Sequence, residues 1–412
     1  MNYILYAVPF FFLLIGVELL LEKVRQTHYY RINDAIVSLS AGVLSRMLDI
    51  VKAMVPFTIY VVIYENYALL TLPDTFIIWL SVFVLYDFCY YWNHRFGHEI
   101  SMLWAAHVVH HSSEEYNLTT ALRQSSSSFL SWVFYLPLAI IGVEPLLLIS
   151  VGALNLIYQF WVHTRHVPKL GWFELIFVSP SNHRVHHAQN AVYIDKNYGG
   201  VFILWDRLFG TFQEELATDP VIFGIRGSLK SWNPLYANVQ VYAQLCRDSW
   251  HTKKLSDKCR VWFGRTGWRP ADVSQAFPIV KTDLKQFQKF DISISLLSKI
   301  YCLVQHSLTT CIGLLLLLNI NSLATYQQIG IVFWVLFASF SVGMILENRA
   351  WAPWLEWLKH LSLLSALFVY VLPFWIMLGL IFSLLTSVIM LAWLQFTYTR
   401  TQHVMSTEAQ MQ

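Results

Sequence analysis

Long apolar runs separated by short polar segments dominate the chain and set the first expectation. Residues 3–21 are long enough to cross a bilayer. No basic leader or small-residue cleavage site accompanies them, which predicts an uncleaved anchor rather than a signal peptide. The next apolar stretch, about 36–64, is interrupted by Arg46, Asp49 and Lys52, so it fits an interfacial helix followed by a span, or one long tilted span. A third run covers about 74–92. Residues 128–163 hold two shorter runs hinged at Gly142 to Pro145, the pattern of a tight hairpin of spans. Four more runs, at about 298–320, 328–346, 361–378 and 380–397, bring the expected number to nine.

Charge orients these segments. Seventeen of the 28 Lys and Arg lie between 164 and 297, and the first loop carries Lys23, Arg25 and Arg31. The loop at 65–74 carries Glu65 and Asp74 but no basic residue. Positive loops stay on the cytoplasmic side, and nine spans then put 22–35, 93–127, 164–297, 347–360 and the C-terminal tail there. The expected fold is therefore all-α: a polytopic integral membrane protein of about nine transmembrane helices, with a cytoplasmic helical cap at 164–297. A composition shift near 298 divides the chain into 1–297, which bears the histidine clusters, and 298–412, a four-span bundle.

Composition narrows the class. Of 412 residues, 56% are apolar and only 13% charged. Soluble globular proteins carry roughly a quarter charged residues, so an ordinary soluble enzyme and a disordered chain are both excluded. A net charge of +3 gives no argument for nucleic acid as a partner. The five cysteines form no CxxC pair, which argues against a disulfide framework or a thiolate zinc site. Fifteen histidines remain, ten of them between residues 94 and 187.

Eight of those ten fall in three clusters: His94-Arg-Phe-Gly-His98, His107-Val-Val-His110-His111 and His183-Arg-Val-His186-His187. On a helix, positions i, i+3 and i+4 share a face, so each cluster can aim two or three imidazoles at one point. Eight neutral imidazoles exceed the four that one zinc takes and suit two metal ions with open positions. All-nitrogen ligation fits zinc, iron, copper or nickel. Iron is the productive reading, since breaking an unactivated C–H bond needs a redox-active metal; zinc stays open as the alternative occupant of purified protein. Glu114, just beyond the second cluster, could orient a histidine or bind a polar cofactor, and Glu115 follows it. Asn197 and Tyr198, with Asp195 before them, could line the pocket or build the turn completed by Gly199 and Gly200. Arg123 and Gln124 are expected to contact lipid phosphate or pack the cap. Lys253, Lys254, Lys258, Arg260, Arg265 and Arg269, interleaved with Trp262 and Trp268, form a basic patch suited to anionic lipid headgroups.

HxxxH, HxxHH and HxxHH in this order, between membrane spans, resemble the fatty acid hydroxylase and sterol desaturase superfamily of di-iron membrane enzymes. The flanking text of His94 to Ser125, Tyr158 to Thr164 and Ser181 to Phe212 is similar to its ether-lipid-cleaving branch, the alkylglycerol monooxygenases. The resemblance is strong over about 75–215 and thin beyond 216. It implies a ninth ligand at His163 and supports a site role for Glu114, while Glu115 stands where that branch has Asp. It further implies two Fe ions, O2 as co-substrate, a lipid substrate from the bilayer, and tetrahydropterin or another separate electron donor. The implied reaction hydroxylates the α-carbon of a glyceryl ether, releasing a fatty aldehyde and a glycerol lipid. Alternatives within the superfamily are a sterol desaturase or a hydroxylase of fatty acyl or other lipids. A metal transporter is the alternative of another class, but transporters place ionisable ligands mid-span, whereas these clusters lie at or beyond span ends.

Overall fold

The computed structural model describes residues 3–52, 54–369 and 374–410. The chain is all-helical, with no strand among the described residues and only three isolated bridges between loops. It divides into two compact units: Met1–Lys230 with Tyr236–Lys289, and Ser231–Leu235 with Phe290–Gln412. Four helices among the described residues are long and apolar enough to cross a membrane, or five if one bent pair counts as a single span.

The first unit opens with α1 (Tyr3–Arg25), α2 (Ile32–Lys52) and α3 (Met54–Tyr67). Ala7, Phe11 and Ile15, spaced four apart, form one buried stripe of α1 against Leu118, Ala121 and Phe160. Phe10, Leu13 and Leu20 are exposed on the rest of its surface. Glu18 extends the buried stripe and accepts hydrogen bonds from the hydroxyls of Tyr30 and Thr164 and from the backbone N–H of Leu118. The interrupted stretch at 36–64 is the bent pair: α2 and α3 meet at 52°. The Arg46–Asp49 ion pair, 2.7 Å, joins two of the three charges that break its apolar pattern.

Helix α4 (Phe76–Glu99) starts at Thr75, whose side chain accepts from the N–H of Ile78. It runs past the expected end at 92, because nothing between Trp92 and Glu99 breaks a helix. At 1.5 Å per residue it is about 36 Å long, more than the roughly 30 Å apolar thickness of a bilayer, and His94 and His98 lie on its last turns. Helix α5 (Ser101–His111) follows after one extended residue, Ile100, and α6 (Leu118–Ala121) is a single turn. The apolar hairpin consists of α7 (Leu136–Ile141) and α8 (Pro145–Trp161). Its hinge lies where the apolar pattern breaks: Gly142 takes φ +109 and Pro145 opens α8. The polar stretch 164–297 contains α9 (Pro180–His186), α10 (Leu204–Leu208), α11 (Pro234–His251), α12 (Leu255–Phe263) and α13 (Ala271–Ala276).

The second unit is built from α14 (Leu296–Leu318), α15 (Thr325–Leu346), α16 (Ala352–Val369) and α17 (Phe374–Gln410). Leu308, Leu363 and Leu384 form part of its core. The polar loop expected at 347–360 is mostly helix, since α16 begins at Ala352. Glu356 and Lys359, which made that stretch look solvated, are fully buried as an ion pair. Tyr301 and Gln305 of α14 hydrogen-bond to that pair, and Gln305 donates onward to Ser387 of α17.

A Cβ at position 142 would lie 2.0 Å from the carbonyl oxygen of Leu70 and would need a left-handed backbone. Gly142→Ala is therefore expected to destabilise the hairpin by on the order of 1–3 kcal/mol, read as a lowered melting temperature of the detergent-purified protein. An unchanged melting curve would remove the hinge role.

Candidate metal centre

The three boxes and His163 converge in one buried region of the first unit, but they do not sort by box. His94, His98, His107, His111 and His186 form one set, and His110, His163, His183 and His187 a second; within each, one nitrogen per ring lies within 4.8 Å of all the others. Consecutive helical residues project about 100° apart, whereas i and i+4 differ by about 40°. Thus His107 and His111 of α5 face one centre while His110 faces the other. In the third box, His183 and His187 face the second centre and His186 the first. Two rings of each box thus meet at one point, and the remaining ring of the second and of the third box turns to the other set.

Local structure fixes each segment. Helix α9 begins with a reciprocal cap: the Ser179 hydroxyl accepts from the N–H of Asn182, and the Asn182 side chain accepts from the N–H of Ser179. Pro180 follows at the first helical position. His163 sits directly after α8, and Arg184 of α9 clamps its loop by donating to the carbonyls of Thr164 and Val167.

The hydrogen bonds of the rings settle their tautomers. The Nδ1 atoms of His94, His110, His163 and His186 lie 2.7–3.1 Å from the carbonyl oxygens of Tyr198, Arg123, Gln159 and Lys196. A carbonyl only accepts, so each Nδ1 carries the hydrogen and each Nε2 of a neutral ring carries a bare lone pair. His110 Nε2 and His163 Nε2 are nevertheless 3.2 Å apart. No hydrogen can lie between them, and two facing lone pairs repel, so the arrangement calls for a shared cation. Burial keeps rings outside the spans neutral: it pulls the pKa of His110 down to about 4 and holds those of His107, His111, His183, His186 and His187 well below the ordinary value.

Other Nε2 pairs are equally close: His94–His107, His107–His111 and His163–His183 at 3.0 Å, and His183–His187 at 3.2 Å. Metal–imidazole bonds of about 2.1 Å place neighbouring nitrogens about 3.0 Å apart in an octahedron and about 3.4 Å apart in a tetrahedron. The spacings fall between those limits. His98 Nε2 and His186 Nε2 are buried without a hydrogen-bond partner among the described residues. Orphaned lone pairs of this kind are costly unless something binds them. The donor set fits metal ions.

Of the other expected site residues, Tyr198 is nearest the rings. Its ring centroid is 5.3 Å from that of His98 and 5.9 Å from those of His94 and His186. Its hydroxyl is buried without a partner among the described residues. Asn197 turns away from the rings. Its side chain donates to the carbonyls of Asn182 and Gln213 and accepts from the N–H of Gln213, with no hydrogen bond to an imidazole. Glu114 accepts from the Ser228 hydroxyl at 2.6 Å, while Glu115 pairs with Arg31 and Lys289. Arg123 packs the interior, donating to Val109 and Ser112, and lends its own carbonyl to His110. The basic patch is partly spent on internal contacts: Arg269 pairs with Asp248, Arg265 with Asp195, and Arg260 stacks over Trp268.

Two carboxylates that the histidine spacing does not single out hold the loop behind His94. Asp206 accepts from the N–H groups of Tyr198 and Gly199 and from the Thr211 hydroxyl, and burial pushes its carboxyl up to about 6. Asp87 accepts from the N–H groups of Val201 and Phe202, from Trp205 Nε1 and from Asn155 Nδ2, at 2.7–3.0 Å. The available signal was that Asp87 is the only charged residue in the apolar run 76–93.

Fold and site together define a helical membrane metalloprotein. The sequence profile of the fatty acid hydroxylase family matches residues 79–211, the stretch that contains all nine histidines. The alkylglycerol monooxygenase of Homo sapiens is 37% identical over 370 residues, covering 88% of this chain and 82% of that protein. The enzyme of the same name from Danio rerio is 37% identical over 381 residues, covering 90% and 84%. The ornithine lipid hydroxylase OlsE of Rhizobium tropici is 28% identical over 151 residues, 35% of this chain and 45% of that one. No solved structure matches. The chain belongs to the fatty acid hydroxylase family, and it is a membrane lipid monooxygenase of that family.

Asp87→Ala would strip the acceptor from four donors, three of them buried against the Tyr198 loop. Each buried donor left unmade costs about 1–3 kcal/mol, so a loss of at least about 3 kcal/mol is expected. The check is thermal stability together with retained metal, both of which should fall; wild-type values for both would show that Asp87 does not support the centre.

Proposed function

We propose that the two histidine sets hold two iron ions, one in each, and that the protein uses O2 to hydroxylate a C–H bond of a membrane lipid, with a glyceryl ether as its substrate. The observation that carries this reading is the pair of adjacent, buried, imidazole-only sets. Iron bound there would supply activation of O2, which zinc, having no redox chemistry, does not. The name of the human and fish relatives supports the ether substrate. Hydroxylation at the α-carbon of the ether gives a hemiacetal, which collapses to a fatty aldehyde and a glycerol lipid. The balance consumes O2, two electrons and two protons, and releases one oxygen as water. A separate donor, tetrahydropterin, provides the electrons.

The chain's own part is binding and orientation. Nine imidazoles bind, and four of them are aimed by hydrogen bonds to backbone carbonyls. The Tyr198 hydroxyl, the free polar group beside the first set, is the residue we place at the reacting side. Asn197 acts by fixing the turn from which Tyr198 projects, and Glu114 by holding the Ser228 loop. In this reading residues 1–297 form the hydroxylase part with its cap at 164–297, and 298–412 a four-span bundle. Nine crossings put the histidines and the C-terminus on the cytoplasmic side, as the distribution of Lys and Arg favours.

Elemental analysis of the detergent-purified protein is expected to find about two irons per chain, falling to about one in each of His98→Ala and His163→Ala, which drain different sets. Turnover of a hexadecyl glyceryl ether with tetrahydropterin is expected to yield hexadecanal, at a rate at least about a hundredfold lower in either variant. Tyr198→Phe is expected to keep its metal and lose rate by about a hundredfold. Zinc alone, with failed iron reconstitution, would overturn the reading.

A further inference from the structure

Beside the second histidine set lies a cavity of about 490 Å³, lined among others by Arg25, Tyr29, Arg165, His166, Arg184 and Glu215. Its volume is in the roughly 300–1,000 Å³ range of small-molecule sites. Its charge is not balanced from within. Arg184 is neutralised by Glu215 through 2.7–3.2 Å contacts. Arg25 donates to the carbonyl and, at 3.5 Å, to Nδ1 of His166, and has no carboxylate partner among the described residues. Arg165 is held between two aromatic faces, 4.0 Å above the Tyr29 ring and 5.5 Å from that of Phe223. Its guanidinium has no hydrogen bond or ion pair among the described residues. The nearest carboxylates are already engaged, Glu115 by Arg31 and Lys289 and Glu215 by Arg184. Arg25 and Arg165 thus face one cavity without a carboxylate partner among the described residues.

His166 adds a third donor. Because Arg25 points an N–H at Nδ1, that nitrogen holds the lone pair and Nε2 holds the hydrogen. That Nε2 is buried and has no partner among the described residues. A planar fork fixed on aromatic rings, a second guanidinium and an imidazole N–H form a set of donors shaped for an oxyanion with several oxygens.

The location identifies its source. Arg25 closes α1, whose exposed flank carries Phe10, Leu13, Leu20 and Val24, and the loop of His166 follows the apolar α8. Two apolar helices end at the same level, which is where lipid headgroups lie. Aromatic contacts lead from Arg165 to the histidines: Phe223, 5.5 Å from its guanidinium, stacks on Tyr116 at 4.7 Å, and Tyr116 lies 5.6 Å from His163 and 5.2 Å from His187. We infer that this cavity receives the phosphate of an anionic lipid headgroup while the lipid's chain is presented to the histidine centre. The inference rests on the lipid-oxygenase reading above and adds to its ether substrate a preference for a phosphate-bearing headgroup.

Binding of a hexadecyl glyceryl ether with and without a terminal phosphate would be measured on the full-length protein in a non-ionic detergent, with no turnover. Wild type is expected to bind the phosphorylated lipid at least about tenfold more tightly. The double variant Arg25→Gln, Arg165→Gln is expected to lose that preference, and Arg165→Lys, which keeps the charge without the fork, to retain part of it. Equal affinities in wild type, or a preference that survives the double variant, would overturn the proposal. Inorganic phosphate binding as tightly as the phosphorylated lipid would also overturn it, by assigning the cavity to a free anion. Absence of oxygenase activity leaves this measurement unaffected, so the two readings fail separately.

Discussion

The structure depends on the cost of burying imidazoles. A neutral histidine away from water needs an acceptor for its one N–H and something to meet its lone pair. Here the N–H is met, for four rings, by backbone carbonyls of Tyr198, Arg123, Gln159 and Lys196, drawn from different segments. The lone pairs are then left pointing at one another. A metal site made this way is only as well placed as the carbonyls behind it. That is why the residues immediately outside the rings are so thoroughly tied: Asp87 and Asp206 on the Tyr198 loop, Arg123 on the end of α5, Arg184 on the loop after His163. Each is a charged group whose whole capacity goes to backbone or neighbouring polar groups, so the chain of support runs from carboxylate to loop to carbonyl to ring.

Much of the site was legible in the sequence because helical spacing is short-range information. Within each box the histidines at i and i+4 share a helix face, which pairs His94 with His98, His107 with His111 and His183 with His187. Their division between two centres was also present, in the adjacent pairs His110–His111 and His186–His187, whose side chains must diverge by about 100°. Asn197 and Glu114 show the converse. Proximity in sequence to a cluster says nothing of which way a side chain turns, and both turn to the backbone or to a serine. The supports of the centre were hidden for a different reason. Asp87 and Thr211 lie more than a hundred residues apart yet serve the same loop, and such pairings depend on tertiary folding alone.

Where composition is uniform the helices follow the apolar runs, although only four of the nine expected spans, or five with the bent pair, are long and apolar enough to cross a membrane among the described residues; where charge is buried the helices were misplaced. The apolar hairpin and its Gly142 hinge follow from two apolar runs and a breaker, and they are found. The start of α16 was placed too late because Glu356, Lys359 and His360 look like loop residues. In the second unit they are interior, and the pair is met by Tyr301 and Gln305. A buried ion pair adds little net stability, since desolvation offsets attraction, but any other packing of these helices would strand a charge in apolar surroundings. The pair therefore works as a register mark for the bundle, a role that hydropathy does not detect.

The same rule applied across the molecule separates structural charges from binding charges. Lys359 has Glu356 and Gln305; Arg269 has Asp248; Arg184 has Glu215 and two carbonyls; Arg123 has Val109, Ser112 and Asp34 nearby. In each case the folded chain itself meets the cost of withdrawing the cation from water. Arg165 breaks the pattern, because aromatic faces hold it but no anion pairs with it among the described residues. With those four cations met by the folded chain, a half-buried guanidinium left without an anion beside a cavity, among the described residues, is a group placed for a partner outside the chain. Recognition then divides between two kinds of surface: neutral imidazoles, whose lone pairs call for metal, and an uncompensated guanidinium, whose charge calls for an anion. That separation keeps the metal-binding rings electrically neutral while headgroup selection falls to the charged groups of the neighbouring cavity.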